Sequence, residues 1–211
     1  ERNKIMKPKI MVLYYSMFGN NYLMAKAVAK GIQDVGGEPI LRTVPELLPQ
    51  SVIDGDERIK KAKAIQKDVA VVKLAELEDI DGLILGSPTR FGNMCSQLRN
   101  FLDQTGSLWG KGALIGKPAG VFCSTASLHG GQETTLISMM FTLLHHGAII
   151  VGVPYSVKEL VETKTGGTPY GPTAVVGPLA DQPPTEIDLK IAQELGKRVT
   201  EIADKMINKK G

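Results

Sequence analysis

Short apolar runs alternate with longer amphipathic stretches along the chain. Nearly unbroken apolar runs are typical of strands buried on both faces of a parallel sheet. Apolar residues three and four positions apart predict helices. The predicted strands are Ile10–Tyr15, Pro39–Val44, Asp81–Gly86, Ala119–Ser124 and Ala148–Pro154. The predicted helices are Asn21–Val35, Ser96–Thr105, Glu133–His146 and Thr185–Asn208, with a shorter helix near Asp56–Ala64.

This alternation predicts an α/β fold with a five-stranded parallel sheet covered by helices on both faces. No internal repeat or linker divides residues 9–211, so we expect one domain there, preceded by a flexible extension over residues 1–8. Pro45–Leu77 is expected to be a loose connection around the short helix, and the Gly- and Pro-rich segment Ser156–Pro184 to be irregular. Thr185 is expected to cap the last helix.

Composition is that of a globular protein, with 43% hydrophobic and 22% charged residues. The net charge of +3 comes without a basic stripe, so nucleic acid is not an expected partner. Two cysteines without a C-x-x-C pattern suit a reducing cytoplasm. No apolar run reaches about 18 residues, so no membrane span is expected. His145 and His146 would point about 100° apart on a helix, so no metal site is expected.

Polar loops follow three predicted strands, at the edge where parallel α/β sheets bind ligands. The first loop, Ser16–Asn21, opens a helix and offers free backbone N–H groups together with hydroxyl and amide side chains. Gly19 allows close approach of the backbone, and the combination suits a phosphate monoester. The loop contains neither a Walker motif nor Gly-x-Gly-x-x-Gly. An ordinary capped helix after a tight turn explains this loop alone equally well.

The second loop, Ser87–Asn93, combines turn residues and hydrogen-bonding side chains with the flat apolar Phe91 and the cation Arg90, which suits the edge of a planar ring. Taken alone, each residue has a simpler interpretation: Arg90 forms an ion pair on the surface, and the Phe91 side chain is a core plug, filling space in the hydrophobic core. The third loop, Ser124–Gly131, again places small residues and hydroxyls before a helix. Three such loops together fit flavin mononucleotide (FMN), with its phosphate at one end and its ring at the other.

The chain resembles the flavodoxin-like NAD(P)H:quinone oxidoreductases of the tryptophan-repressor-binding-protein (WrbA) family from about Lys9 onward. Six sequence blocks in the family's order carry the resemblance: VLYYSMFGN (Val12–Asn20), SPTRFGNM (Ser87–Met94), NFLDQTGSLW (Asn100–Trp109), GGQET (Gly130–Thr134), LLHHG (Leu143–Gly147) and GGTPYGPT (Gly166–Thr173). It implies a doubly wound sheet of order 2-1-3-4-5, non-covalent FMN, and a homotetramer. It also implies two-electron reduction of a quinone by NADH or NADPH. Because both substrates are expected to use one site, a ping-pong mechanism is expected.

The resemblance implies roles for individual residues. Those implied to bind FMN are Ser16, Met17, Phe18, Gly19, Asn20, Asn21, Pro88, Thr89, Arg90, Phe91, Gly92, Asn93, Ser124, Thr125, Ala126, Ser127, Leu128, His129, Gly130 and His145. Phe18, Trp109 and His145 are implied to bind substrate, the last two from a neighbouring subunit, and His146 is a second candidate for the role of His145. Arg90 is expected to stabilise the anionic reduced ring, and no protein nucleophile is expected.

The chain departs from the family pattern at two places that bear on the site. Ala126–His129 replaces a run of glycines with bulkier residues and one additional position. Cys95 stands where a small hydroxyl residue is common, at the predicted start of a helix, a position that can lower a thiol pKa. An inert buried cysteine is the preferred interpretation there.

The same residues also bear on other protein classes. The main alternative is a flavodoxin-type FMN electron carrier without quinone reductase activity, but such carriers are expected to be strongly acidic and this chain carries +3. An iron–sulfur flavoprotein would need a cysteine cluster. A response regulator would need an acidic pair after the first strand, and no residues support a protein-binding scaffold. The choice between NADH and NADPH, and the natural quinone, stay open.

Overall fold

The structure, a computed structural model, describes residues 6–208. The strands in that range are β1 (Lys9–Tyr14), β2 (Glu38–Thr43), β3 (Gly82–Arg90), β4 (Asn93–Met94), β5 (Pro118–Thr125), β6 (Ile149–Ile150) and β7 (Thr173–Val175). The helices are α1 (Asn20–Asp34), α2 (Gln50–Gly55), α3 (Glu57–Ala64), α4 (Ser96–Asp103), α5 (Gly106–Gly110), α6 (Gln132–His145), α7 (Glu159–Glu162) and α8 (Glu186–Asn208), with a 3-10 helix at Leu74–Leu77.

The central sheet has the strand order β2-β1-β3-β5-β6, and every neighbouring pair in it is parallel. Because β5 and β6 are the fourth and fifth of the predicted strands, this is the expected 2-1-3-4-5 order. The carboxyl ends of β1, β3 and β5 therefore lie side by side. The predicted fold class, a doubly wound flavodoxin-like α/β fold, is confirmed.

Two hydrophobic cores lie on opposite faces of the sheet because side chains alternate along each strand. Met11 and Leu13 of β1 belong to the core that α4 and α6 cover. Ile10, Val12 and Tyr14 belong to the core that α1 and α8 cover. This division explains why β1 shows an apolar run rather than an alternating pattern: both of its faces are buried.

The fifth strand is shorter than the predicted Ala148–Pro154. Only Ile149–Ile150 pairs with β5, at Pro118 and Ala119. Val153 donates its N–H to the carbonyl of Pro169 instead of to β5, at 2.9 Å, although its side chain is buried. Val151 still donates its N–H to the Ala119 carbonyl of β5 at 2.7 Å, so the apolar pattern beyond residue 151 reports burial in the core and not pairing in the sheet.

The segment Ser156–Pro184, predicted to be irregular, contains α7 and β7. Strand β7 pairs in parallel with β5 at Cys123–Thr125, farther along the same edge that β6 occupies. Residues 151–172 are therefore an excursion that interrupts one edge position of the sheet. The prediction was wrong here because β7 is only three residues long and lies among turn residues.

The third strand is longer than predicted. Asp81–Gly86 was expected, but β3 continues to Arg90 and returns as β4 in an antiparallel hairpin. Phe91 (φ 53°) and Gly92 (φ 75°) form the turn, and positive φ at both central residues is the geometry that two-residue hairpins favour. Pro88 suggested a loop, but a proline is tolerated near the end of a strand.

The connection Pro45–Leu77 contains more structure than a loose linker. The short helix predicted near Asp56–Ala64 is confirmed as α3, and the Asp56 side chain caps it by accepting the N–H of Arg58 at 2.8 Å. Helix α2 and the 3-10 helix were not predicted. At the last helix, the predicted cap is confirmed, because the Thr185 hydroxyl accepts the N–H of Asp188 at 3.2 Å.

The N-terminal residues that the structure describes contact the body of the protein. Met6 and Asn208 exchange two hydrogen bonds, and the buried Pro8 accepts the N–H of Glu38 at 2.8 Å. Residues 1–5 of the predicted flexible extension lie outside the described range. None of the helices between residues 6 and 208 combines the length and apolar character needed to cross a bilayer.

Candidate functional site

A cleft opens at the carboxyl ends of β1, β3 and β5. Four segments form its walls: the loop after β1, the end of β3, the end of β5 with the residue after it, and the segment after β7. The residues that line the cleft are Ser16, Met17, Phe18, Asn20, Asn21, Pro88, Thr89, Arg90, Ser124, Thr125, Ala126, Val176, Gly177, Pro178 and Ala180. It holds about 550 Å³ of empty space, part of it open to solvent.

The start of α1 forms one end of the cleft. Gly19 precedes the helix with φ 90°, and no side chain caps the helix there. The first-turn N–H groups of a helix have no intrahelical acceptors, and the helix dipole adds partial positive charge. The first turn of α1 contains no acidic residue to use that charge. This end of the cleft is therefore suited to an anion supplied by a ligand.

Two buried polar atoms at this end of the cleft have no hydrogen-bond partner within residues 6–208: Ser16 Oγ and Asn21 Oδ1. Their residues are only 2% and 1% exposed. The Asn21 amide nitrogen donates to Ser124 Oγ at 3.2 Å, which links the first and third loops. Burying a hydroxyl without a hydrogen-bond partner lowers the stability of a protein by about 1–3 kcal/mol. A ligand atom that accepts a hydrogen bond from Ser16 would remove this cost. The Ser16 hydroxyl and the first-turn N–H groups of α1 are donors that fit the phosphate of FMN, whereas Asn21 Oδ1 is an acceptor and fits a hydroxyl of the ligand.

The end of β3 forms the opposite wall. Thr89 Oγ1 accepts a hydrogen bond from Thr135 Oγ1 at 2.8 Å and from the N–H of Gly92 at 3.2 Å, so its side chain is held in place. Arg90 donates to the Thr89 carbonyl at 2.9 Å and to Met17 Sδ at 3.5 Å. No carboxylate in the described part of the chain pairs with Arg90, so the surface ion pair considered from sequence is wrong. Its charge is available at the rim of the cleft.

Three residues expected at the ring edge lie at the tip of the hairpin and do not line the cleft: Phe91, Gly92 and Asn93. The Phe91 side chain is fully exposed, at 101%, so its interpretation as a core plug is wrong. The backbone beneath it is tightly packed, because a Cβ on Gly131 would lie 2.8 Å from the Cα of Gly92. The hairpin thus presents an apolar ring to solvent on a fixed support.

The third loop contributes only its first part to the cleft. Ser124, Thr125 and Ala126 line the wall, whereas residues 127–130 turn away from it. The turn is closed by the N–H of Gly130, which donates to the Ser127 carbonyl at 3.1 Å. The substituted residues Leu128 and His129 are exposed within it. The structure therefore does not bring these four residues together with the rest of the site.

Trp109 and His145 lie next to each other, outside the cleft of their own chain. The Trp109 indole N–H donates to the His145 carbonyl at 2.9 Å, and His145 lines a separate groove between α4 and α6. His146 is buried, with its Nε2 2.8 Å from Thr105 Oγ1. Burial and the neighbouring His145 lower the pKa of His146. The structure places His146 in the core, against Thr105, and not in the cleft wall.

The segment after β7 completes the cleft and was not identified from sequence. Asn20 donates its amide to the Ala180 carbonyl at 2.9 Å. The Arg58 guanidinium lies 5.0 Å from the centre of the Phe18 ring and donates to the Leu179 carbonyl at 3.0 Å. The available signal was the Gly177-Pro178 pair directly after a short apolar run, a pattern typical of a turn at the end of a strand.

Cys95 is a structural residue. It is fully buried in the core beneath α4, and burial raises the pKa of its thiol. The position at the start of a helix therefore does not lower the pKa of this thiol, and the interpretation of Cys95 as an inert buried residue is preferred. No group of three or more histidine, cysteine or acidic side chains in the described chain is arranged to hold a metal ion.

The fold defines a class, the flavodoxin-like α/β proteins, with the cleft at the carboxyl ends of the strands. Solved structures share this fold. A flavodoxin, WrbA-like protein from Agrobacterium tumefaciens aligns with a TM-score of 0.64 and 23% identity, over 93% of this chain and 98% of that one. A flavodoxin from the domain Archaea aligns with a TM-score of 0.60 and 20% identity, over 92% of this chain and 98% of that one.

Sequence comparison defines the family. Residues 8–160 match the family model described as NADPH-dependent FMN reductase. The NAD(P)H dehydrogenase (quinone) of Solidesulfovibrio magneticus is 46% identical over 200 residues, which is 93% of this chain and 98% of the relative. The protein of the same name from Geotalea daltonii is 45% identical over 202 residues, with 94% and 98% covered. The chain belongs to the NADPH-dependent FMN reductase family.

Proposed function

We propose that this protein is an FMN-dependent NAD(P)H:quinone oxidoreductase that reduces quinones by two electrons in a ping-pong mechanism. The observation that carries the proposal is the buried Ser16 hydroxyl, which has no partner within residues 6–208, beside the uncapped start of α1. The relatives named NAD(P)H dehydrogenase (quinone), which are 44–46% identical over almost the whole chain, support the choice of reaction.

In this proposal different cleft residues bind different parts of the cofactor. The Ser16 hydroxyl and the first-turn N–H groups of α1, that of Asn21 among them, hold the phosphate. Pro88–Arg90 and Ser124–Ala126 hold the ring from its two sides. The predicted residues outside the cleft wall, namely Phe91–Asn93 and Ser127–Gly130, act by shaping the hairpin and the loop that support it.

Bound FMN supplies the redox chemistry, accepting hydride from NADH or NADPH and passing two electrons to a quinone. The protein contributes binding and electrostatics and needs no nucleophile. Arg90, which pairs with no carboxylate in residues 6–208, would place a positive charge where negative charge develops on reduction. Since one open cleft serves both substrates, the oxidised nucleotide leaves before the quinone binds, which is the basis of ping-pong kinetics.

Replacing Arg90 with Met should slow the reduction of bound FMN by NADH about twofold to fivefold, because an exposed cation contributes about 1 kcal/mol or less. Anaerobic stopped-flow absorbance at the flavin band measures this rate. Arg198→Met, which removes an exposed arginine from α8, is the matched control and should leave the rate unchanged. Equal rates in wild type and Arg90→Met would remove Arg90 from the mechanism.

The proposal includes self-association, to a tetramer, that brings Trp109 and His145 of one copy to the cleft of another. Exposed apolar side chains support it: Trp109 is 61% exposed, Phe141 61% and Leu144 55%, and Phe91, on the hairpin at the other end of α6, is 101% exposed. Apolar residues exposed in such number mark interaction surfaces in soluble proteins. We also propose a cytoplasmic location, supported by two buried cysteines that form no disulfide.

The purified protein should be yellow, lose its colour with NADH under anaerobic conditions, and regain it when benzoquinone is added. Steady-state turnover with these two substrates should need no partner protein and should give parallel lines in double-reciprocal plots. A yellow protein that NADH cannot reduce would instead support the flavodoxin-type electron carrier. A protein that takes up no FMN would contradict both functions.

A further inference from the structure

Gln66 connects the segment after α3 to the loop after β1. Its side chain is buried, with the residue 8% exposed. Its amide nitrogen donates to the Ser16 carbonyl at 3.2 Å and to the Ala62 carbonyl at 2.7 Å, so both amide hydrogens are used. Gln66 is not part of the cleft wall, whereas Ser16 is.

The same segment packs directly beneath the loop. A Cβ on Gly19 would lie 3.4 Å from Ile65 Cδ1 and 3.8 Å from Ala62 Cβ. The residue before Ser16 is held in the same way: Tyr15 donates its hydroxyl to Glu46 at 3.0 Å, and Glu46 forms an ion pair with Lys63 of α3. The loop after β1 is therefore supported from outside the cleft by the connection that the sequence predicted to be loose.

The hydrogen bond from Gln66 sets the direction of one peptide group. In a trans peptide the C=O of one residue and the N–H of the next point in opposite directions. Gln66 holds the Ser16 carbonyl toward α3, away from the cleft, so the N–H of Met17 is directed to the opposite side. That N–H takes part in none of the hydrogen bonds found in residues 6–208. It is free to bind an anion next to the Ser16 hydroxyl.

We propose that Gln66 is a positioning residue that orients the Ser16–Met17 peptide for phosphate, and that it thereby sets the preference of this protein for FMN over riboflavin. The inference rests on the proposed FMN site. It predicts that loss of the Gln66 amide weakens the binding of the phosphate more than the binding of the ring, because the ring contacts come from other loops.

The test compares two ligands in two variants. Gln66→Met keeps the size of the side chain and removes its donors. It should raise the dissociation constant for FMN about fivefold to tenfold, as expected for one misplaced hydrogen bond, and change that for riboflavin less than twofold. Gln97→Met is the matched control, because Gln97 is also 8% exposed and lies in α4. It should leave the FMN-to-riboflavin preference unchanged.

Apoprotein is titrated with FMN and with riboflavin, and binding is followed by quenching of flavin fluorescence. Thermal melting of each apoprotein checks that the variant is folded. Equal loss of affinity for both ligands, or no loss in a folded variant, would overturn the positioning role. A wild-type protein that does not prefer FMN over riboflavin would overturn the proposed function itself, so the two failures are distinguishable.

A second measurement does not depend on the stability of a variant. In wild-type apoprotein labelled with ¹⁵N, binding of FMN should move the Met17 amide proton downfield, as an N–H does when it gains a charged acceptor. Riboflavin should produce a smaller shift, since it carries no phosphate. A Met17 amide that responds equally to both ligands would contradict the inference.

Discussion

Apoprotein carrying Ser16→Ala should bind FMN about 10- to 100-fold more weakly than wild type and yet be no less stable. The loss follows from the hydrogen bond that the Ser16 hydroxyl donates to the phosphate, since hydrogen bonds to charged groups contribute about 1.5–3 kcal/mol. The unchanged or higher stability is expected because, in the apoprotein, this hydroxyl is buried and has no hydrogen-bond partner within residues 6–208. Its removal there relieves a desolvation cost, so we expect a gain of up to about 1 kcal/mol.

Thr200→Val is the control for removing a buried hydroxyl. Thr200 is 1% exposed, and its hydroxyl donates to the Gly196 carbonyl within α8 at 2.8 Å. The hydroxyl hydrogen therefore already has an acceptor inside the protein. This variant should bind FMN as wild type does and be equally or less stable. Isothermal titration calorimetry gives the affinities, and urea unfolding of the apoproteins gives the free energies. Wild-type affinity in Ser16→Ala would exclude Ser16 from the phosphate site.

Gly31→Ala should destabilise the apoprotein by about 3 kcal/mol, the upper end of the usual cost of overpacking. Helices α1 and α8 pack with their backbones in contact at two glycines. A Cβ on Gly31 would lie 2.0 Å from the carbonyl oxygen of Gln193, and a Cβ on Gly196 would lie 2.2 Å from that of Val28. Backbone atoms cannot move aside as a flexible side chain can, so the helices must separate.

The sign of this effect is informative because helix propensity predicts the opposite. Alanine favours a helix over glycine by about 1 kcal/mol when nothing else changes. Gly55→Ala is the matched control: Gly55 ends α2, its added Cβ would meet no atom within 4 Å, and its φ is not positive. It should be neutral or slightly stabilising. Urea unfolding at one fixed protein concentration compares the two variants, and equal stabilities would contradict the close α1–α8 contact.

The apolar pattern was sufficient to predict the alternation of strands and helices because buried parallel strands and amphipathic helices have distinct periods. The strand order came from the resemblance to the family. It did not predict where pairing in the fifth strand ends. Val151 and Val153 are 4% and 2% exposed, and a pattern of apolar residues reports such burial without reporting the hydrogen-bond partner. Strand β7 is short and pairs with β5 only after residues 151–172 have left the edge of the sheet. Its pairing depends on tertiary structure, which a local sequence pattern does not report.

The loops that follow the strands could be predicted to converge because strand ends share one edge of the sheet. Which side of each loop faces the cleft depends on backbone angles that residue types indicate only partly. Phe91 adopts a positive φ that is uncommon outside glycine, asparagine and aspartate, and this turns its ring to solvent. Ala180, with φ 54°, brings the segment after β7 over Asn20, and nothing in its residue type signals that turn.

A crystal structure of the FMN complex tests most directly whether the start of α1 holds the phosphate. We predict phosphate oxygens within about 3 Å of Ser16 Oγ and of the first-turn N–H groups of α1, the usual hydrogen-bond distance. The ring should lie between Pro88–Arg90 and Ser124–Ala126. A well-ordered FMN whose phosphate makes no contact with Ser16 or the start of α1 would contradict the proposed site and the redox function built on it.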